Sequence, residues 1–171
     1  MIVNNKDMTI YHILPDLSAG GAERVSITIA RLLHKEGFKV EFLNLGFRKG
    51  EMLNWIEPEF KMISLECGRV LNAIPKLIAF MKSHPNSIYF SSREHVSLVG
   101  LFAAKITNSR IIIRIPNMPQ NKLSKGISGM KMAVIKFINK SLLATAKIII
   151  AQNEEMRNQI LEFYNLPEEK V

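Results

Sequence analysis

Short apolar runs and longer amphipathic stretches take turns along this chain. Apolar runs of strand length occur at Thr9–Leu14, Lys39–Leu45, Met62–Leu65, Ser87–Phe90, Arg110–Ile115 and Lys147–Ala151. Ile111–Ile113 and Ile148–Ile150 are unbroken isoleucine, the composition of a strand covered on both faces. Between the runs the period lengthens to that of a helix. Helices are predicted at Ala22–Glu36, Ile74–Lys82, His95–Ile106, Ile127–Ala144 and Glu154–Tyr164, with a small one around Met52–Ile56. In the first of these, Val25, Ile29, Leu32 and Leu33 are expected to form the buried side, and Gly37 to stop the helix. Pro75 falls in a first turn, where proline is tolerated. Strands alternating with helices predict an α/β fold, a doubly wound parallel sheet with helices on both faces. Pro116–Gly126 is the one long irregular piece, and the chain shows neither internal repeats nor low-complexity segments.

Composition narrows the class. A chain of 171 residues buries about 70% of its unfolded surface, enough for one domain spanning 1–171. The hydrophobic share of 47% and charged share of 22% are those of a globular protein. The single cysteine, Cys67, has no partner within the chain and reads as a small buried or half-buried apolar residue, which suits a reducing compartment. Met1–Asp7 is too polar for a signal peptide, and no stretch has the apolar length of a membrane span. A cytoplasmic location is expected, unless the chain attaches to the inner membrane face.

The turn after the first strand carries the most chemistry. Pro15-Asp16-Leu17-Ser18-Ala19 leads into two adjacent glycines, Gly20 and Gly21, and these run straight into the first helix. Glycine tolerates positive φ and adds no side chain, so the turn is expected to close tightly against a ligand. The helix start offers unpaired N–H groups and the positive end of the dipole, which attract phosphate. By residue type alone, a turn needing glycine only for its geometry fits as well. Neither G-x-G-x-x-G nor the Walker pattern is present.

The whole string Leu17-Ser18-Ala19-Gly20-Gly21-Ala22-Glu23-Arg24-Val25 resembles the opening strand–loop–helix of retaining glycosyltransferases with the GT-B fold, family four. The resemblance covers essentially the whole chain, but only the N-terminal, acceptor-side, Rossmann-like half of that fold. It implies a nucleotide-sugar donor, a UDP-sugar, whose diphosphate sits beside Gly20 and Gly21 with Arg24 in reach. It implies a glycan or lipid-linked acceptor and a role in surface polysaccharide assembly, such as lipopolysaccharide or capsule. No cofactor or metal is implied beyond the nucleotide-sugar co-substrate. Leu166–Val171 reads as a loop leading toward a further strand. The family's donor-binding C-terminal domain, with its E-x7-E carboxylates, is expected outside this chain, which alone should not turn over substrate.

Charge adds a possible partner. From His95 to Asn153 the chain holds Lys105, Arg110, Arg114, Lys122, Lys125, Lys131, Lys136, Lys140 and Lys147 and no Asp or Glu, against a net charge of +8 for the whole. A solvated face normally mixes signs. The predicted helix Ile127–Ala144 sets Met130, Val134, Phe137 and Ile138 on one side and lysines elsewhere. Lys122, Lys125, Lys131, Lys136 and Lys140 are therefore candidates to face an anionic membrane, each worth about 1 kcal/mol near the surface. Nucleic acid is disfavoured, because only Phe102 and Phe137 interleave the basic residues.

The remaining candidates stand at strand ends, where ligands of open α/β sheets gather. Ser91-Ser92-Arg93-Glu94-His95 follows the fourth strand. Ser91 and Glu94 have capping-box spacing, while Arg93 and His95 are candidate acceptor contacts. Arg114-Ile115-Pro116-Asn117 follows the fifth. The resembled family often has Arg-x-His-Asn here and uses the histidine on the transferring sugar. Arg114 and Asn117 match as acceptor-side candidates, Pro116 replaces the histidine, and no catalytic residue is assigned. In such enzymes the departing diphosphate is thought to take the acceptor's proton, so support of that diphosphate is the larger demand. His12 and His34 read as structural. Two aspartates, Asp7 and Asp16, make no Asp-x-Asp, and no His/Cys cluster has zinc spacing. A dehydrogenase would want an acid where the second strand ends Leu43-Asn44-Leu45-Gly46. The alternative function is a non-catalytic basic module that docks on an anionic membrane or a partner subunit.

Overall fold

The computed structural model describes residues 8–56, 59–117 and 138–171. Six parallel strands form one sheet: β1 (Thr9–Leu14), β2 (Lys39–Asn44), β3 (Lys61–Ser64), β4 (Ile88–Ser91), β5 (Arg110–Arg114) and β6 (Ile148–Ile150). Their order is β3-β2-β1-β4-β5-β6, so the direction of winding reverses between β1 and β4. β1 is buried along its whole length and pairs with β2 from Thr9↔Lys39 to Leu14↔Asn44 and with β4 from Ile10↔Ile88 to Ile13↔Ser91. The helices are α1 (Gly21–Lys35), α2 (Leu53–Ile56), α3 (Ile74–Ser83), α4 (Glu94–Thr107) and α5 (Glu154–Tyr164). Each predicted strand is present within a residue or two of its expected bounds, and α5 matches throughout.

Both sheet faces are covered, which is why the inner strands are buried on both sides and carry apolar residues on each. Successive β1 residues point to opposite faces. Tyr11 and Ile13 join a core with Leu43, Tyr89, Leu101, Ile111 and Ile160, while Ile10 and Leu14 join a smaller one with Ile27, Phe42, Met52 and Phe60. Gly100 lets α4 lie close on the sheet, since a Cβ there would meet Ile111 Cδ1 at 2.8 Å. Gly37, at φ +85°, follows the α1 C-cap and ends that helix as expected. Gly50, at φ +145°, packs so closely on the Leu17 carbonyl that no side chain fits. This contact clamps the loop after β2 onto the loop after β1. Cys67 is buried, with its Sγ 3.5 Å from the Leu65 carbonyl.

The sequence misjudged α1. Its buried face is Glu23, Ser26, Ile27 and Ala30, whereas Leu32 is 59% exposed and Val25, Ile29 and Leu33 are only half-buried. The face is rotated because two polar residues find partners inside. Ser26 Oγ lies 2.9 Å from Nδ1 of the fully buried His12, and Glu23 pairs with Arg93. The predicted helix Ile127–Ala144 falls largely outside the described residues, and only 138–143 of it is seen as helix. Lys122, Lys125, Lys131 and Lys136 also lie outside them; Lys140 is half-buried. Among the described residues, no helix is long and apolar enough to cross a membrane.

Candidate functional site

The strand order places a crevice beyond the carboxyl ends of β1 and β4, the point where ligands bind in open α/β sheets. A cleft of about 680 Å³ lies there. Ala22 borders it from the first turn of α1, and Arg93, Glu94, His95 and Leu98 from the start of α4. Pro116 and Asn117 close it from the loop after β5. Two neighbouring acceptor-side candidates, Arg93 and His95, are thus brought together with a third, Asn117, from the next strand's loop. Arg114 is half-buried in β5, opposite Ile150, and is not among the described residues that line the cleft.

The glycine turn is open for a different reason from the one expected. Neither glycine takes positive φ: Gly20 is extended at φ −149° and Gly21 begins α1. What matters is the missing side chain. A Cβ on Gly20 would strike the Glu23 carboxylate, whereas one on Gly21 would meet nothing within 4 Å. The space beside Gly21 is free for a ligand to approach the backbone. Gly20 supplies no side-chain cap, and the Arg24 amide is bonded to the Gly20 carbonyl at 3.0 Å. The amides of Gly21, Ala22 and Glu23 precede the first intrahelical bond, and those of the exposed Gly21 and half-buried Ala22 are available to an anion.

Arg24, expected to reach the diphosphate, is not among the described residues lining this cleft. Its guanidinium carbon sits 4.9 Å from the centre of the Trp55 ring, and both residues border a separate groove with Arg31 and Asn54. Cation–π attraction holds it on that side. The capping box is also absent: Arg93 is the N-cap of α4, and Ser91 is buried in β4, accepting a 3.0 Å bond from the Ser97 hydroxyl. The next hydroxyl performs the tie instead, with Ser92 Oγ donating to the Ala22 carbonyl at 3.2 Å and fixing α1 to the end of β4. Gln152 Nε2 donates to the Pro116 carbonyl at 2.6 Å and anchors the third wall.

Two acids of the site escaped the sequence reading as site residues. Glu23 is 2% exposed, with Oε1 3.2 Å from Arg93 Nε. Asp16 follows β1 and accepts from the Ser18 amide at 2.9 Å and from the Ser18 hydroxyl. Partial burial pushes the Asp16 carboxyl up, but the Ser18 bonds, with the nearby Arg93 and His95, hold it below the usual carboxylate range. The fixed Asp16–Leu17–Ser18 spacing is the local turn signature that could have flagged it. Asn44, by contrast, is structural: its amide donates to the Phe47 carbonyl at 2.9 Å and shapes the loop after β2.

Solved structures share this architecture. A glycosyltransferase from Rickettsia africae (20% identity, TM-score 0.64), a UDP-GlcNAc 2-epimerase from Methanocaldococcus jannaschii (11%, 0.66) and the lipopolysaccharide outer core galactosyltransferase WaaB (13%, 0.65) each match 96% of this chain. The chain spans 41%, 44% and 44% of those proteins respectively, about two-fifths of their length. At these identities the likeness is one of fold, a Rossmann-like half of the two-lobed GT-B arrangement. No curated protein sequence matches the chain. Residues 19–171, from the glycine turn to the last residue, do match the family model, and the chain belongs to Glycosyltransferase Family 4.

Proposed function

We propose that this chain is the acceptor-side lobe of a retaining glycosyltransferase that moves a hexosyl group from a UDP-sugar to a glycan or lipid-linked acceptor in surface polysaccharide assembly. The observation that carries the reading is the uncapped start of α1, with open space beside Gly21 and with the next residue, Ala22, bordering the cleft between β1 and β4. Family membership favours transfer over epimerisation on the same fold, and the named activity of WaaB supports the polysaccharide setting. In this reading a second lobe holds the nucleotide and the amides at Gly21 and Ala22 bond the diphosphate. The bond from the sugar's C1 to the phosphate oxygen breaks, and its electron pair leaves with the diphosphate. The acceptor oxygen bonds C1, and its proton passes to the departing phosphate on the same face. His95 and Asn117 face the acceptor. No protein base and no metal is required, so electrostatic support of the leaving group is the main catalytic demand on this lobe.

The test is transfer by the complete enzyme across a panel of nucleotide-sugars, with sugar acceptors free and lipid-linked. Turnover with a UDP-sugar and retained anomeric configuration is expected; absence of both transfer and donor hydrolysis with every donor sinks the reading. The acid-free stretch from His95 to Asn153 favours peripheral docking on the inner membrane face. Sedimentation with anionic vesicles should therefore exceed that with neutral ones and weaken as salt rises.

A further inference from the structure

Resting on that reading, we propose that Arg93, rather than Arg24, is the side-chain cation of this lobe that supports the leaving diphosphate, and that the buried Glu23 is its positioning residue. Three observations converge. First, Arg24 is committed to the Trp55 ring and borders a different groove. Second, Arg93 lines the cleft beside Ala22, within the same first-turn region as the open amides, and its side chain is 40% exposed. Third, Glu23 is a buried carboxylate neither of whose oxygens accepts a hydrogen bond among the described residues. An isolated buried carboxylate is costly and persists where an ionic partner compensates it. That partner is Arg93, reached through Nε, the guanidinium nitrogen nearest its own backbone.

The geometry explains why both residues are needed. A guanidinium carries donors in a fixed planar fork, so holding Nε fixes the direction of the terminal nitrogens. Glu23 lies in the first turn of α1, and its carboxylate occupies the place a Cβ on Gly20 would take. The fork is thereby referenced to the same turn that offers the amides. Negative charge gathers on the diphosphate oxygen as C1 departs, and a pre-set cation at that place stabilises it without reorganising. Glu23 also offsets part of the positive charge, so the resting cleft is not a generic anion trap.

The assignment separates from an acceptor contact by one comparison. The diphosphate leaves whether the incoming oxygen belongs to an acceptor or to water. In the complete enzyme, Arg93→Lys should therefore lower transfer and acceptor-free donor hydrolysis by the same factor, tenfold or more, with the acceptor KM unmoved. Glu23→Gln should lower kcat in both reactions by a smaller common factor. That loss should largely vanish in the Arg93→Lys background, as a purely structural glutamate would not allow. Unchanged hydrolysis with a raised acceptor KM in Arg93→Lys makes Arg93 an acceptor contact and overturns the proposal. An equal Glu23→Gln loss in both backgrounds overturns the positioning role. A wild-type enzyme that neither transfers nor hydrolyses overturns the underlying function, and this assignment with it.

Discussion

The helices α1 and α5 both leave the carboxyl end of a parallel strand, yet they are built on opposite rules. α5 starts with Asn153, whose side chain accepts the Met156 amide at 2.8 Å, and it buries Met156, Ile160 and Tyr164. α1 starts with Gly20, which caps nothing, and it buries Glu23 and Ser26 beside Ile27 and Ala30. In α5, the cap and the apolar buried face both serve stability. In α1 the amides at the start are left open and two polar side chains are turned inward. Departures of this kind concentrate where a protein binds something. The contrast is therefore evidence about function, and it can be tested at both ends.

The largest effect is expected at Gly21. A Cβ there meets no atom within 4 Å and Gly21 is exposed, so valine should keep the fold and the thermal midpoint should barely move. The side chain would instead fill the space assigned to the diphosphate. Loss of one preorganised donor to a developing oxyanion costs about a hundredfold or more in rate, so transfer by the complete enzyme should fall by that order. Near-normal turnover with an unchanged midpoint would make the open start of α1 an accident of packing.

The same contrast shows what could be read from the residues in advance. α5 was legible in full, because Asn153 caps, apolar positions repeat at helical spacing, and Asn165 closes the helix in the left-handed conformation. β1 was legible for a similar reason: six buried residues in a row have no helical period. The buried face of α1 was not. Periodicity weighs Val25, Ile29, Leu32 and Leu33 as core, and it cannot know that the buried His12 awaits Ser26 and the cleft-lining Arg93 awaits Glu23. Those partners lie 14 and 70 residues away, and only the sheet order brings the second one near. The site divides in the same way. The glycine turn is local and stands in the sequence, while Arg93, His95 and Asn117 share a cleft because β4 and β5 are neighbours, and they meet the start of α1 because β4 also lies beside β1.

A second way to press the comparison uses His12, which lies under α1 between the rings of Phe42 and Phe90. Burial lowers its pKa to about 3, whereas an unfolded chain would keep the ordinary value of about 6.5. Between those values the unfolded state takes up a proton that the native state refuses. The stability associated with neutral His12 is complete above about pH 6.5 and is lost as pH falls toward 3, at about 1.4 kcal/mol per pH unit. Urea midpoints should therefore report a loss of about 2 kcal/mol between pH 6.5 and pH 5 from this residue. His12→Asn should flatten that slope, whatever it does to overall stability. An unaltered slope would assign the acid sensitivity to carboxylates and leave the interior of α1 no more special than that of α5.

The smallest effect belongs to the ordinary helix. Asn153→Ala removes the one side-chain cap of α5 and leaves the Met156 amide without its 2.8 Å partner. Loss of such a cap costs about 1 kcal/mol, and a protein of this size should then melt about 2–4 °C lower. Transfer at saturating substrate should stay within twofold of wild type, because Asn153 is not among the described residues lining the cleft. The two helix starts would then respond in opposite currencies: substitution at Gly21 removes turnover and spares the melting point, while substitution at Asn153 lowers the melting point and spares turnover. A marked fall in transfer from Asn153→Ala, with the midpoint unmoved, would place the working surface beside β6 and α5, and the opening at Gly21 would lose its claim to the diphosphate.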